Sequence, residues 1–261
     1  MELRQNARKV VGRLRATVDH LKYRDIAARY DIAGYRRVYL VHIRKTGGTS
    51  LNHAFLGLSG ENSADVYDRL AKKSDHRILC GDKVYVGWNT RYINGGKYFY
   101  AFSHTPLHEL KLPEKTFTIT CFRDPIKRVI SHYNMLIHFS VNGIPHPCMR
   151  VEGDWLGASF DDFLQRIPRK HLHNQLYMFS PRYDINEAVD RVASSISHCF
   201  FSEAYDRGVE ALTLKTRLPL KSVHVRKARC QAPISDRAMT KLRDMVEIEY
   251  SFLEKVRNLC S

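Results

Sequence analysis

Three short stretches, met in order along the chain, carry side chains suited to chemistry on an anion. The first is Lys45-Thr46-Gly47-Gly48-Thr49-Ser50-Leu51. Its paired glycines reach positive φ without a Cβ penalty, so successive backbone N–H groups can turn into one concavity. Thr49 or Ser50 can cap a helix that starts here, the helix dipole adds partial positive charge, and the Lys45 ammonium adds a full one. A phosphate or sulfate is what such a shell would hold. The second stretch is Ser103-His104-Thr105-Pro106, with His108 close behind as an alternative. An imidazole, with an ordinary pKa of about 6.5, can remove the proton of a hydroxyl group at neutral pH. The third is Arg123-Asp124-Pro125, followed by Arg128 and Ser131. The planar fork of arginine can give a phosphate two parallel charge-assisted hydrogen bonds. Ser131 falls about two turns into the helix that Pro125 opens, so it shares a phosphate with Arg123 only if that phosphate lies beside the helix.

These residues need elements that bring them to one place. Residues 38–43 form a short β-branched apolar run, as in a strand buried in a parallel sheet, and the helix after the glycine turn continues through Leu51, Ala54, Phe55 and Leu58. Strands predicted over 97–102 and 116–122 deliver His104 and Arg123 at their carboxyl ends, the edge where parallel α/β sheets place ligands. A last strand is predicted over 198–202. Helices are predicted over 62–73, 126–139, from the Ser159 cap onward, and over 171–179, 185–196, 204–214 and 235–258. The stretch between 73 and 97 reads as loop-rich, and 140–157, with its glycines and prolines, as an irregular loop able to cover a site. Strands alternating with helices predict an α/β fold with a doubly wound, mainly parallel sheet.

A chain of 261 residues suits one such domain, expected over 38–261. Its 42 Lys and Arg against 27 Asp and Glu leave a formal charge of +15, a field that attracts nucleotides, polysulfated sugars, nucleic acids or acidic lipids. Residues 1–37 read as a basic amphipathic helix, expected to lay its apolar stripe on the domain, with peripheral membrane contact as the alternative. Six scattered cysteines without a CxxC pair predict neither a zinc site nor a disulfide framework. No run approaches the roughly 18 apolar residues of a membrane span, and no secretory apolar core follows Met1, so a soluble cytoplasmic protein is expected.

In the phosphate loop of kinases and GTPases, lysine follows the last glycine and directly precedes Ser or Thr; here Lys45 comes first. That order resembles the 5′-phosphosulfate loop of sulfotransferases, which use 3′-phosphoadenosine 5′-phosphosulfate (PAPS). His42-Ile-Arg-Lys-Thr-Gly-Gly-Thr-Ser-Leu51 is most similar to the carbohydrate branch, sulfotransferase family 2, which includes the heparan sulfate 2-O-sulfotransferases. That family usually has proline where this chain has Arg44. The third stretch resembles the family's 3′-phosphate motif, R-D-P-x-x-R-x-x-S, at Arg123, Asp124, Pro125, Arg128 and Ser131. Phe102-Ser103-His104 aligns with a His-Gly-His pattern, keeping the second histidine as His104 and replacing the first by Phe102. Cys199-Phe-Phe-Ser-Glu203-Ala-Tyr205-Asp206 is similar to a late strand-to-helix element of the family.

The resemblance implies a P-loop-like sulfotransferase fold. It implies an enzyme that moves a sulfuryl group from PAPS to a hydroxyl by in-line displacement, releasing adenosine 3′,5′-bisphosphate (PAP) without a metal. The branch implies a carbohydrate hydroxyl, with an anionic glycan or a small metabolite as acceptor. By the same resemblance His104 is the general base, and Lys45 stabilises negative charge on the leaving phosphate. Thr46, Gly47, Gly48, Thr49, Ser50 and Leu51 surround the 5′-phosphate, and Arg123 and Ser131 take the 3′-phosphate. Arg128 supports the helix, and Arg226, Lys227 and Arg229 close over the nucleotide. No nucleic-acid partner is expected. Two other readings compete: a basic nucleic-acid-binding protein, for which the sequence has charge but no RNP, zinc-finger or basic-zipper signature, and a nucleotide kinase, against which the lysine order argues.

Overall fold

The computed structural model describes residue 23, residues 25–225 and residues 232–260. Most of the basic segment predicted over 1–37 therefore lies outside the described residues. Six strands form one sheet: β1 (Arg37–Val41), β2 (Arg77–Cys80), β3 (Lys83–Gly87), β4 (Tyr100–Ser103), β5 (Thr116–Phe122) and β6 (His198–Phe201). Their order is β2-β3-β4-β1-β5-β6, with β2 antiparallel to β3 and every other neighbouring pair parallel. The predicted α/β architecture is present, and β1 lies in the interior with β4 on one side and β5 on the other. The β2–β3 hairpin stands where a loop-rich stretch was expected. It turns through Gly81 and Asp82, with Gly81 at φ 57, a two-residue connection that matches strand twist.

Successive residues of β1 alternate between two cores, as strand geometry requires. Val38 and Leu40 pack with Leu51 and Phe55 of α1 (Gly48–Leu56) and Val66 and Leu70 of α2 (Ser63–Lys72). Tyr39 and Val41 face the other way, toward Leu176, Phe179, Val192 and Phe252. After α3 (Thr90–Gly95) comes α4 (Pro125–Val141), whose N-cap Asp124 accepts from the Lys127 N–H. A third core lies under α4, where Val129, Tyr133 and Leu136 meet Phe160 and Phe163.

Local differences from the sequence reading arise from packing. The 140–157 stretch is mostly irregular but contains a single helical turn, α5 (Met149–Glu152). Ser159 caps α6 (Phe160–Arg166) as predicted, accepting from the Asp162 N–H. The helix predicted over 171–179 is two short pieces, α7 (Arg169–Leu172) and α8 (Asn174–Tyr177), broken at His173. Next come α9 (Ile185–Ser195) and α10 (Tyr205–Thr216). The long helix predicted over 235–258 breaks at Val246 into α11 (Asp236–Met245) and α12 (Glu247–Arg257). The break lets Leu242 of α11 join the third core while Phe252 and Leu253 of α12 join the second. The expectation of no disulfide is corrected at one pair: Cys199 of β6 is bonded to Cys260, just beyond α12. Among the described residues no helix is long and apolar enough to cross a membrane.

Candidate functional site

Strands β4, β1 and β5 run side by side and parallel, with Val41 opposite Ser103 on one side and Thr120 on the other. The segments that leave these strands therefore emerge at the same edge. His104 leaves β4, the 42–50 turn leaves β1, and Arg123 leaves β5.

The β1 turn is held open by its own sequence. Lys45 sits at φ 69 and Gly47 at φ 99, and Gly47 is the N-cap of α1 with no side chain capping it. The expected Thr49 or Ser50 cap is thus replaced by a glycine two residues before Thr49, and both hydroxyl residues fall inside the first turn of α1. A nine-residue helix begins there with first-turn N–H groups that no capping side chain takes, the arrangement that favours an anion. Gly48 is needed for space: a Cβ there would come within 2.1 Å of the His42 ring. The Tyr205 ring lies against Gly47, 3.6 Å from where a Cβ would be. Thr46 is buried and its hydroxyl donates to the Ile43 carbonyl at 3.0 Å, so its side chain braces the turn and does not face a ligand. Ser50 Oγ accepts from the Val225 N–H at 3.3 Å.

On the β5 flank, Arg123 Nη1 donates to the Lys45 carbonyl at 3.0 Å, joining the first and third stretches directly. The Arg123 backbone is gripped at both ends by Gln175, whose Oε1 accepts from the Arg123 N–H at 2.8 Å and whose Nε2 donates to the Arg123 carbonyl at 2.9 Å. Gln175 is held in turn by Glu249, to which its N–H donates at 2.7 Å. Arg128 is fully buried, donates to the carbonyls of His171 and Leu172, and lies 3.5 Å from Glu249. It is a support for α4. Asp124 Oδ2 accepts from the Tyr250 hydroxyl at 2.7 Å, and Glu203 Oε1 accepts from the Asp124 N–H at 3.1 Å. Ser131 is half-buried on α4. Arg226, Lys227 and Arg229 lie outside the described residues. The residues on either side of them are anchored: Val225 on Ser50, and Ala232 through its N–H on Asn134 Oδ1 at 3.2 Å.

On the β4 flank, His104 Nδ1 lies 2.7 Å from the His42 carbonyl. A carbonyl only accepts, so Nδ1 carries the proton and Nε2 is left with its lone pair. The rings of His104 and His42 lie 4.3 Å apart, so the imidazole beside the base comes from β1 and not from the Phe102 position. Crowding by protein lowers the His104 pKa to about 4, with the Arg44 charge acting in the same direction. The ring nevertheless keeps exposed surface, and water there solvates the cation and pulls the value back toward the ordinary range. Either way the neutral ring predominates at pH 7. His108 is elsewhere: it lines a depression with Lys115 and Thr116, at the amino end of β5 and the opposite edge of the sheet.

Residues that motif reading passed over complete this flank. Arg44 pairs with Glu152, and Glu152 Oε2 accepts from His132 Nε2 at 2.7 Å. The Arg44 N–H donates to Asn174 Oδ1 at 3.1 Å. Arg44 carries a mark in the sequence, standing where the resembled pattern has proline, but no partner could be read for it. Glu152 and His132 give no comparable signal.

No protein-family model matches the chain, and a search of curated proteins finds no match.

Proposed function

We propose that the chain is a PAPS-dependent sulfotransferase acting on a hydroxyl group, with a carbohydrate as the acceptor class. One observation carries the reading. Three adjacent parallel strands bring a glycine turn with Lys45, a neutral histidine with a free Nε2 lone pair and an arginine to one edge, and Arg123 Nη1 meets the Lys45 carbonyl at 3.0 Å. The residues fit the donor they would hold. The first-turn N–H groups of α1, Lys45, Gly47, Gly48, Thr49, Ser50 and Leu51 would take the 5′ end, and Arg123 and Ser131 the 3′-phosphate. Thr46 would contribute its backbone alone. When bound, PAPS supplies an activated sulfuryl group.

The chain's own residues then do three things. His104 accepts the acceptor's proton at Nε2, its other nitrogen being fixed on His42. The Lys45 ammonium supplies positive charge where negative charge grows on the leaving side. The α1 turn orients the reacting groups at low entropic cost, because its conformation is already set by Gly47, Gly48 and Thr46. A disulfide persists in oxidising compartments, so the Cys199–Cys260 bridge favours a lumenal or external setting over the expected cytoplasm.

The deciding experiment is a thermal-shift and calorimetric titration with PAP, with ATP and AMP as controls. A ligand at 100 times its Kd adds about 2.7 kcal/mol of stability. PAP is expected to stabilise the wild type, AMP is not, and Arg123→Ala and Ser131→Ala are each expected to reduce the difference. No response to PAP, together with salt-dependent binding to DNA of arbitrary sequence, would replace this reading with that of a basic nucleic-acid-binding protein.

A further inference from the structure

We propose that Glu152 is a positioning residue for His104: in one hydrogen-bonded chain with the part-buried Arg44 and the buried His132, it holds the Arg44 guanidinium beside the base and offsets that cation where His104 takes up a proton. The proposal rests on the reading of His104 as the general base.

The geometry is specific. Arg44 lies two residues beyond His42, whose carbonyl receives the His104 Nδ1–H at 2.7 Å. The Arg44 backbone is pinned by Asn174 at 3.1 Å, and its guanidinium is paired with one oxygen of Glu152 while the other oxygen is 2.7 Å from His132 Nε2. The three partners come from the β1 turn, α5 and α4. Glu152 is 5% exposed and His132 is 0% exposed. A carboxylate removed so far from water stays charged only when its oxygens are bonded to donors. Burial alone would raise the Glu152 carboxyl, but the bonds from His132 and Arg44 outweigh it and hold the group below its ordinary range.

His132 adds no charge at rest. Burial lowers its pKa to about 4 against the pull of Glu152, and its Nδ1 is buried without a partner, as suits a neutral ring protonated at Nε2. The chain therefore holds one positive and one negative charge. The charged and titratable groups around His104 are the His42 ring, 4.3 Å away, and Arg44, Glu152 and His132: Arg44 and a protonated His132 would disfavour the imidazolium, and Glu152 favours it. Arg44 alone would make His104 a poorer base, and Glu152 favours its protonated form. Burial keeps the ring neutral at rest, and Glu152, by offsetting Arg44, leaves it able to accept a proton during the reaction.

The test is an NMR titration of the full chain with labelled histidine rings, the His104 signal being identified by its loss in His104→Asn. Arg44→Gln is expected to raise the His104 pKa by about one unit, and Glu152→Gln to lower it by about as much. Arg44→Gln/Glu152→Gln is expected to return it close to the wild-type value. An unchanged His104 titration in both single variants, or shifts of the same sign, would overturn the proposal, because a purely structural ion pair would behave that way. If Glu152→Gln does not fold, leaving the Arg44 charge unpaired, the direction seen in Arg44→Gln decides alone. The readout contains no donor. A wild type that ignores PAP would remove the assignment of His104 as a base while leaving the measured coupling in place.

Discussion

On the β5 flank of β1, Arg123, Gln175, Glu249 and Arg128 form a continuous network in which Glu249 and Arg128 are fully buried and lie 3.5 Å apart, while the Arg123 guanidinium donates to the Lys45 carbonyl. On the β4 flank, His104 keeps part of its ring in water, beside an Arg44–Glu152 pair that holds its charge in balance. Under the proposed function the two flanks have different tasks. An anion bound in one place is best met by donors that cannot move, so a rigid, closed network suits it. A base must change charge during each turnover, and a ring sealed away from water could not do so without a large penalty. Damage on the β5 flank should therefore appear as lost stability, and damage on the β4 flank as lost rate.

The largest effect expected is on the first of these. Glu249→Leu leaves the buried Arg128 guanidinium without its partner and frees Gln175, and should destabilise the protein by about 3–5 kcal/mol in denaturant unfolding. A loss below about 1 kcal/mol would show that the network is not closed. His104→Ala should reverse the pattern. The ring makes one backbone hydrogen bond and is partly exposed, so the melting temperature should barely move while turnover falls by about 10²–10⁴-fold with donor affinity retained. A variant that melts early but turns over normally would place His104 among the structural residues.

What the sequence made legible divides along similar lines. The 45–51 turn, β5 and the Arg123–Pro125 stretch could be read because each is local: glycines beside a lysine, a β-branched run, a proline opening a helix. Arg128 could be read as a support, and its burial agrees. Glu152 could not, because it lies in a stretch read as irregular and meets Arg44 across 108 residues. Nor could the Cys199–Cys260 pair, 61 residues apart and without a CxxC spacing. The Gly81-Asp82 hairpin carried a usable signal that the surrounding Asn and Gly obscured. The break at Val246 has no sequence mark, since it arises from the competition of two cores for one apolar stripe.

The bridge offers a smaller test of the β5 flank. It ties the end of α12, the helix that carries Glu249, to β6, which pairs with β5. Cys199→Ala/Cys260→Ala should destabilise by about 2–4 kcal/mol, chiefly through the unfolded chain. Stability unchanged by reduction would mean that α12 is held by packing alone.

The smallest effect is a pH dependence on the β4 flank, and the pKa shifts fix its sign. Burial lowers the pKa values of His104, His132 and His171, each to about 4, against about 6.5 in an unfolded chain. Between those values the unfolded state binds more protons than the folded one, so stability should rise with pH through this window and level off above it. Carboxylates held below their ordinary range, such as Glu152, act with the same sign but nearer pH 4 and lower, so melts between about pH 5 and 7 isolate the histidines. Of these three His132 should contribute most, because His104 and His171 keep surface through which water can solvate their cations; the buried His173 and His198, also lowered by burial, act with the same sign. His132→Gln, which retains a donor for Glu152 and cannot titrate, should make that slope shallower. A slope unchanged in His132→Gln would assign the dependence to the other histidines and remove His132 as a titrating member of this flank.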